Sequence, residues 1–184
     1  YKKTNSDVLI AFLNDKEIIG EGYVFSENAV VTEYVVEKND GCPDLLNKKA
    51  TEYFIEITHR KYAEALKNDF SEAIGAVFTD EPKAPLMPFN SELSEKYEAL
   101  YGESILPYLP LIAKRIAPIE GNVHILHRWY DLCSKMFCEN YLYPCRKWAN
   151  ENGVAFTGHL DKDHNPHGCM NGGGNFNLMR ALRC

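Results

Sequence analysis

The stretch Ala73-Ile74-Gly75-Ala76-Val77-Phe78-Thr79-Asp80-Glu81-Pro82 decides how the rest of the chain is read. A short apolar run with β-branched and aromatic residues fits a strand of a parallel sheet covered on both faces. Pro82 has no N–H to give to a ladder, so pairing is expected to stop there. Parallel sheets hold their ligands just outside the carboxyl ends of their strands, which puts Asp80 and Glu81 where such folds work. Successive strand residues point to opposite faces, so at most one of the two carboxylates faces a site squarely. The competing reading is an exposed acidic turn in which Asp80 caps the next segment.

Working outward, Asn47 is a good N-cap for a helix from Lys48 to Lys67, with Ala50, Tyr53, Phe54 and Ile57 as its apolar stripe. Helix then strand is half of a βαβ rhythm. After the strand, Pro82, Pro85 and Pro88 make Lys83 to Asn90 an irregular loop able to line a site above the strand end. Ser91 is placed to cap a helix to Tyr101, Gly102 to stop it, and Ile105 to Lys114 is a short helical stretch punctuated by proline. The longest helical pattern is Asn122 to Asn152, where Val123, Leu126, Tyr130, Cys133, Phe137 and Tyr141 recur at three- and four-residue steps. Pro144 should kink it, since proline removes a backbone bond and clashes with the preceding turn. Gly153 is its natural stop, and Val154 to Leu160 is a second short buried strand with a polar tip. Upstream, Asp7 to Leu13, Lys16 to Phe25 and Asn28 to Glu37 read as a small antiparallel meander broken at Asn14-Asp15 and Ser26-Glu27-Asn28. The expected class is α/β, with a β-meander over residues 1–40 and (β/α) units over 41–184.

Composition narrows the function. The 184 residues suit one folded domain with a sizeable core, and a net charge of -6 with no Lys/Arg stripe argues against a nucleic-acid partner. No apolar run reaches the roughly 18 residues of a membrane span, so no membrane partner is expected. Six cysteines without a C-x-x-C pair fit a reducing, cytoplasmic setting, with any signal peptide outside this chain. Cys133, Cys138 and Cys145 fall in one helix as small apolar residues. Strand edges left unpaired would favour a homodimer.

Three groups of residues carry chemistry. Glu81 at a strand end beside Phe78 and Phe89 is placed for a proton donor whose carboxyl is raised by desolvation, and such a donor needs a second carboxylate, for which Asp161 and Asp163 are the near candidates. His159, His164, His167 and Cys169 invite a zinc reading, but their spacing is no established ligand pattern. Asp161-x-Asp163-x-Asn165 opens like a calcium loop, yet Pro166 stands where that loop needs glycine. No metal and no cofactor are therefore expected, and Gly172-Gly173-Gly174-Asn175 lacks the spacing of a phosphate loop. Arg128-Trp129-Tyr130-Asp131 offers a guanidinium and aromatic faces suited to sugar, although Trp129 and Tyr130 cannot both face one side of a helix.

These elements resemble a family. Asp44-Leu45-Leu46-Asn47, then Phe54-x-x-x-Thr58-His59-x-x-Tyr62, Ile74-Gly75-x-x-Phe78-Thr79-Asp80-Glu81-Pro82, Arg128-Trp129-Tyr130-Asp131, Trp148 before Asn152-Gly153 and Thr157-Gly158-His159 are similar to large bacterial glycoside hydrolases of the α-L-rhamnosidase-like type. The resemblance runs from about Asp44 onward and implies a (β/α)8 catalytic barrel of which this chain is a partial TIM-barrel segment. It implies a carbohydrate substrate, Glu81 as the general acid at the end of the fourth barrel strand, and Asp80, Arg128, Trp129, His159 and Asp163 around the sugar. Such barrels take about 250 residues and eight strand-helix units, so the segment is expected to be inactive by itself. The rival expectations are a non-catalytic carbohydrate-binding module and a metal-dependent hydrolase using the His/Cys cluster.

Overall fold

The computed structural model describes residues 1–26, 28–37, 41, 43–82, 88–114 and 123–159. The chain is mixed α/β and divides into two compact units: the described residues of Tyr1–Asn39 and Phe89–His127 form one, those of Asp40–Pro88 and Arg128–Cys184 the other. Residues 89–127 thus group with the N-terminal sheet rather than with the segment that precedes them.

In the first unit, strands β1 (Val8–Leu13), β2 (Glu17–Ile19) and β3 (Val31–Val35) form an antiparallel sheet. The turn between β1 and β2 uses Asn14 and Asp15, both at positive φ (52° and 57°), with the Lys16 N–H donating to the Leu13 carbonyl at 3.1 Å. Two left-handed residues in succession are what a tight hairpin turn demands, and Asn and Asp tolerate that conformation. The order is β2-β1-β3, so the sheet is not the sequential meander expected. β1 is central because its run Val-Leu-Ile-Ala-Phe-Leu is apolar on both faces, and Val8, Ala11 and Phe12 are all buried. The three-residue β2 and the more polar β3 take the edges.

Helix α4 (Ser91–Tyr101) belongs to the same unit, and its N-cap is Asn90, whose side chain accepts from the Leu93 N–H at 2.8 Å, one residue before the expected Ser91. Gly102 ends it in the left-handed conformation (φ 73°), as the sequence predicts. Leu93 and Tyr97 are fully buried, as are Ile105, before the 3-10 turn Leu106–Tyr108, and Leu109, the first residue of the short α5 (Leu109–Lys114).

The second unit is built on the strand of the opening stretch. Residues Lys48 to Lys67 do not form one helix. Helix α1 (Lys48–Ile57), capped by Asn47 at 3.0 Å from the Lys49 N–H, breaks at Thr58, and α2 (His59–Leu66) follows. The Thr58 hydroxyl donates back to the Phe54 carbonyl at 2.5 Å, a competition with the helical ladder that bends helices. A 3-10 turn and α3 (Phe70–Ala73) then lead into β4 (Ala76–Asp80).

β4 pairs with β5 (Ala155–His159) in parallel, with Val77 beside Phe156, Thr79 beside Gly158 and Asp80 beside His159. The connection includes α6 (Val123–Phe137), a π-helical turn at Cys138–Leu142 and α7 (Tyr143–Glu151). The kink expected of Pro144 takes the form of that wide turn, just before a residue with no N–H to give to a regular ladder. The turn carries two buried polar contacts. Asn140 donates to the Leu46 carbonyl at 2.6 Å, and the Tyr141 hydroxyl meets Thr79 Oγ1 at 2.9 Å. Cys138 and Cys145 are buried free thiols and Cys133 is half-buried; burial pushes them up to about 11, 12 and 12 respectively, as expected of apolar fillers.

Among the described residues the strand pair is covered on one face only, which corrects the expectation of burial on both. Thr79 and Phe156 are buried and Val77 is half-buried, whereas Phe78 on the opposite face is 58% exposed. A parallel pair is the extent of the parallel sheet among the described residues, and no closed barrel is present.

Gly158, at φ 157°, is a point of close approach in the pairing. A Cβ there would stand 2.1 Å from the Thr79 carbonyl oxygen and 2.6 Å from the Thr79 methyl, so Gly158→Ala must separate the strands. It should destabilise the chain by about 3 kcal/mol in denaturant titrations. Gly75, with open space at its own Cβ position, is the matched control, and Gly75→Ala should be near neutral.

Candidate functional site

The carboxyl ends of β4 and β5 bring two of the expected residues together. His159 Nε2 lies 2.8 Å from Asp80 Oδ1, and both side chains are open to solvent. The register makes this contact: Asp80 and His159 are paired neighbours on the same face, one step beyond Thr79 and Gly158. The imidazole N–H donates to the carboxylate, which fixes the ring orientation and leaves Nδ1 facing away from the pair. Phe78 shares this face, two residues before Asp80, and its ring centroid is 6.0 Å from that of His159 at an interplanar angle of 71°.

Glu81 follows directly. Its N–H donates to the His159 carbonyl at 3.2 Å, the last bond of the ladder before Pro82. Its φ of 44° is left-handed, a conformation that a residue with a Cβ adopts at a cost of about 1–2 kcal/mol. Glu81 is exposed, so the apolar enclosure expected to raise its carboxyl is not formed among the described residues.

The other expected residues stand differently. Arg128 is half-buried on α6. Trp129 is only 1% exposed, so its expected role in binding sugar is corrected: an indole without accessible surface packs a core and offers no face to a ligand. Asp163 lies outside the described residues, as do Asp161, His164, His167 and Cys169. Among the described residues no group of three or more His, Cys, Asp or Glu could hold a metal ion. No helix among them is long and apolar enough to cross a membrane.

Sequence reasoning named Phe78 as an apolar neighbour of the acid and missed its place on the site face. The signal was the period of two that puts residues 78 and 80 on one side. It also missed Tyr141 as the partner of Thr79, for which a hydroxyl in the middle of an apolar strand was the clue.

The opposite face of β4 has a separate cavity of about 270 Å³, lined by Thr58, His59, Tyr62, Phe70, Ile74, Val77 and Trp148. None of the expected site residues reaches it. His59 Nδ1 is 2.8 Å from the Thr58 hydroxyl, its Nε2 is buried without a hydrogen-bond partner, and its ring packs edge-on to Phe54 and Trp148. Since Thr58 donates to the Phe54 carbonyl, the proton of the neutral ring sits on Nδ1 and is given to Thr58. Burial holds the His59 pKa below its ordinary 6.5.

No protein-family model matches the chain, and no curated protein and no solved structure matches it.

Two outcomes follow from this geometry. Because the folded-state pKa of His59 is depressed, the unfolded chain takes up that proton first as pH falls. Its contribution is constant above about 6.5 and is lost from there down through the lower folded value. Denaturant titrations should therefore show wild type losing more stability over this window than His59→Phe, which keeps a ring between Phe54 and Trp148. Separately, Glu81→Gly and Glu81→Ala lose the same side-chain interactions and only glycine relieves the left-handed backbone, so the Gly variant should be the more stable of the two by about 1 kcal/mol in denaturant titrations. Equal stability of the two would overturn the reading of backbone strain at this position.

Proposed function

We propose that this chain is part of a glycoside hydrolase, a segment of a (β/α) barrel in which Glu81 is the general acid and Asp80 and His159 bind hydroxyl groups of the sugar. The observation that carries the reading is the Asp80–His159 contact at 2.8 Å across the carboxyl ends of two parallel strands, with Glu81 as the next residue. A carboxylate and an oriented imidazole side by side, open to solvent, are hydrogen-bonding partners for the hydroxyls of a glycone. The resemblance of F-T-D-E-P and T-G-H to α-L-rhamnosidase-like enzymes points the same way. The exposed face bearing Phe78, Asp80 and His159 is the face that further barrel strands would enclose.

In this mechanism Glu81 gives its proton to the glycosidic oxygen as the bond to the anomeric carbon breaks, and a second carboxylate from another strand activates water or attacks the sugar. The reacting sugar lies over the strand tips, its hydroxyls held by Asp80 and the free nitrogen of His159. The resemblance adds Arg128 and Asp163 as further residues expected to bind the sugar.

The decisive measurement is hydrolysis of a panel of aryl glycosides, led by the α-L-rhamnoside, by the full-length polypeptide carrying this chain and by its Glu81→Gln variant. The variant should lose turnover about a thousandfold or more at unchanged stability. Turnover retained in Glu81→Gln overturns the assignment, and sugar affinity without any hydrolysis favours a carbohydrate-binding module.

A further inference from the structure

Phe78 is the mid-strand aromatic residue of β4, 58% exposed on the face that the helices leave open. Its neighbours on that face are Ala76 and, toward the carboxyl end, the polar groups of the proposed site: Asp80 two residues along the same strand, and His159, whose ring stands at 71° to that of Phe78 with centroids 6.0 Å apart. Thr157, paired with Phe78 across the ladder, is too small to cover the ring.

A flat apolar ring beside two hydrogen-bonding groups has the amphipathic pattern of a pyranose, whose ring C–H bonds form an apolar face and whose hydroxyls radiate from its edge. We propose that Phe78 is the platform of the sugar site. The apolar face of the glycone packs on its ring, while two adjacent hydroxyls reach Asp80 and the free nitrogen of His159. The substrate class that fits is an uncharged pyranoside with a vicinal diol. A uronoside would carry its carboxylate toward Asp80 and Glu81 and be repelled. This inference rests on the glycosidase reading and adds to it a residue that binds the sugar without taking part in proton transfer.

The test is kinetics of the full-length polypeptide on p-nitrophenyl α-L-rhamnoside, or on whichever neutral p-nitrophenyl glycoside wild type cleaves best, with Phe78→Ala, Phe78→Leu, Phe78→Tyr and Phe78→Trp. Loss of the ring in the Ala and Leu variants should raise KM about tenfold with little change in kcat. Tyr and Trp should restore KM. A Leu variant with wild-type KM overturns the proposal, because an apolar filler would then suffice and Phe78 would be a packing residue. Should Phe78→Ala fail to fold, the Leu and Tyr variants decide. Hydrolysis by wild type with no KM change in any Phe78 variant overturns the platform and leaves the glycosidase reading standing. If wild type cleaves no glycoside, that reading fails, and methyl α-L-rhamnoside affinity in wild type and Phe78→Leu then decides the platform: equal affinity, or none in either, overturns it.

Discussion

Thr79 is the residue on which the second unit closes. Its hydroxyl meets that of Tyr141 at 2.9 Å in a buried setting, and its carbonyl and methyl fill the space that Gly158 leaves empty. The two contacts fix different things. The first ties the strand to the π-helical turn of the connecting helix. The second is the close approach of the two strands at Gly158, whose backbone (φ 157°) and missing Cβ let it lie against Thr79 in the observed register. Register in turn places Asp80 beside His159. The close approach at Gly158 lies one residue before that pair.

The π-helical turn serves the same end. Cys138–Leu142 delivers two consecutive polar side chains to buried partners, Asn140 to the Leu46 carbonyl and Tyr141 to Thr79. A buried hydroxyl or amide left unpaired costs about 1–3 kcal/mol, so each contact holds its neighbour as much as it holds itself. Widened turns next to proline are found where a helix must aim a side chain off its regular path.

Much of this was legible in the sequence. The Asn47 cap, the Gly102 and Gly153 stops and the parallel pairing of the two short apolar runs follow from local rules, and each is found. What local rules could not supply was competition between neighbours. Thr58 breaks a helix because its hydroxyl bonds to the Phe54 carbonyl, and nothing in the apolar stripe from Ala50 to Ile57 shows that. Strand order in the small sheet depends on which strand is apolar on both faces, and proximity in sequence suggested a meander. At the site, Asp80 and His159 were readable as strand tips because polar residues end both apolar runs. Trp129 was misplaced because an aromatic residue on a helix reads the same whether it faces a sugar or a core.

The two faces of the strand pair differ in burial, and the proposed site lies on the open one. Val77, Thr79 and Phe156 point toward the buried side, while Phe78, Asp80 and His159 occupy the open one. Strict alternation would send Glu81 to the buried side after Asp80. The left-handed backbone at Glu81 breaks that alternation, so the carboxylate stays exposed at the tip. Glycine or asparagine would adopt this conformation more readily, so a glutamate here carries a backbone cost that those residues would not. Backbone strain of this kind accumulates where a side chain is needed for what it does rather than for how it packs. The same residue that terminates the ladder, in front of a proline that cannot extend it, is the one whose chemistry the proposed function requires.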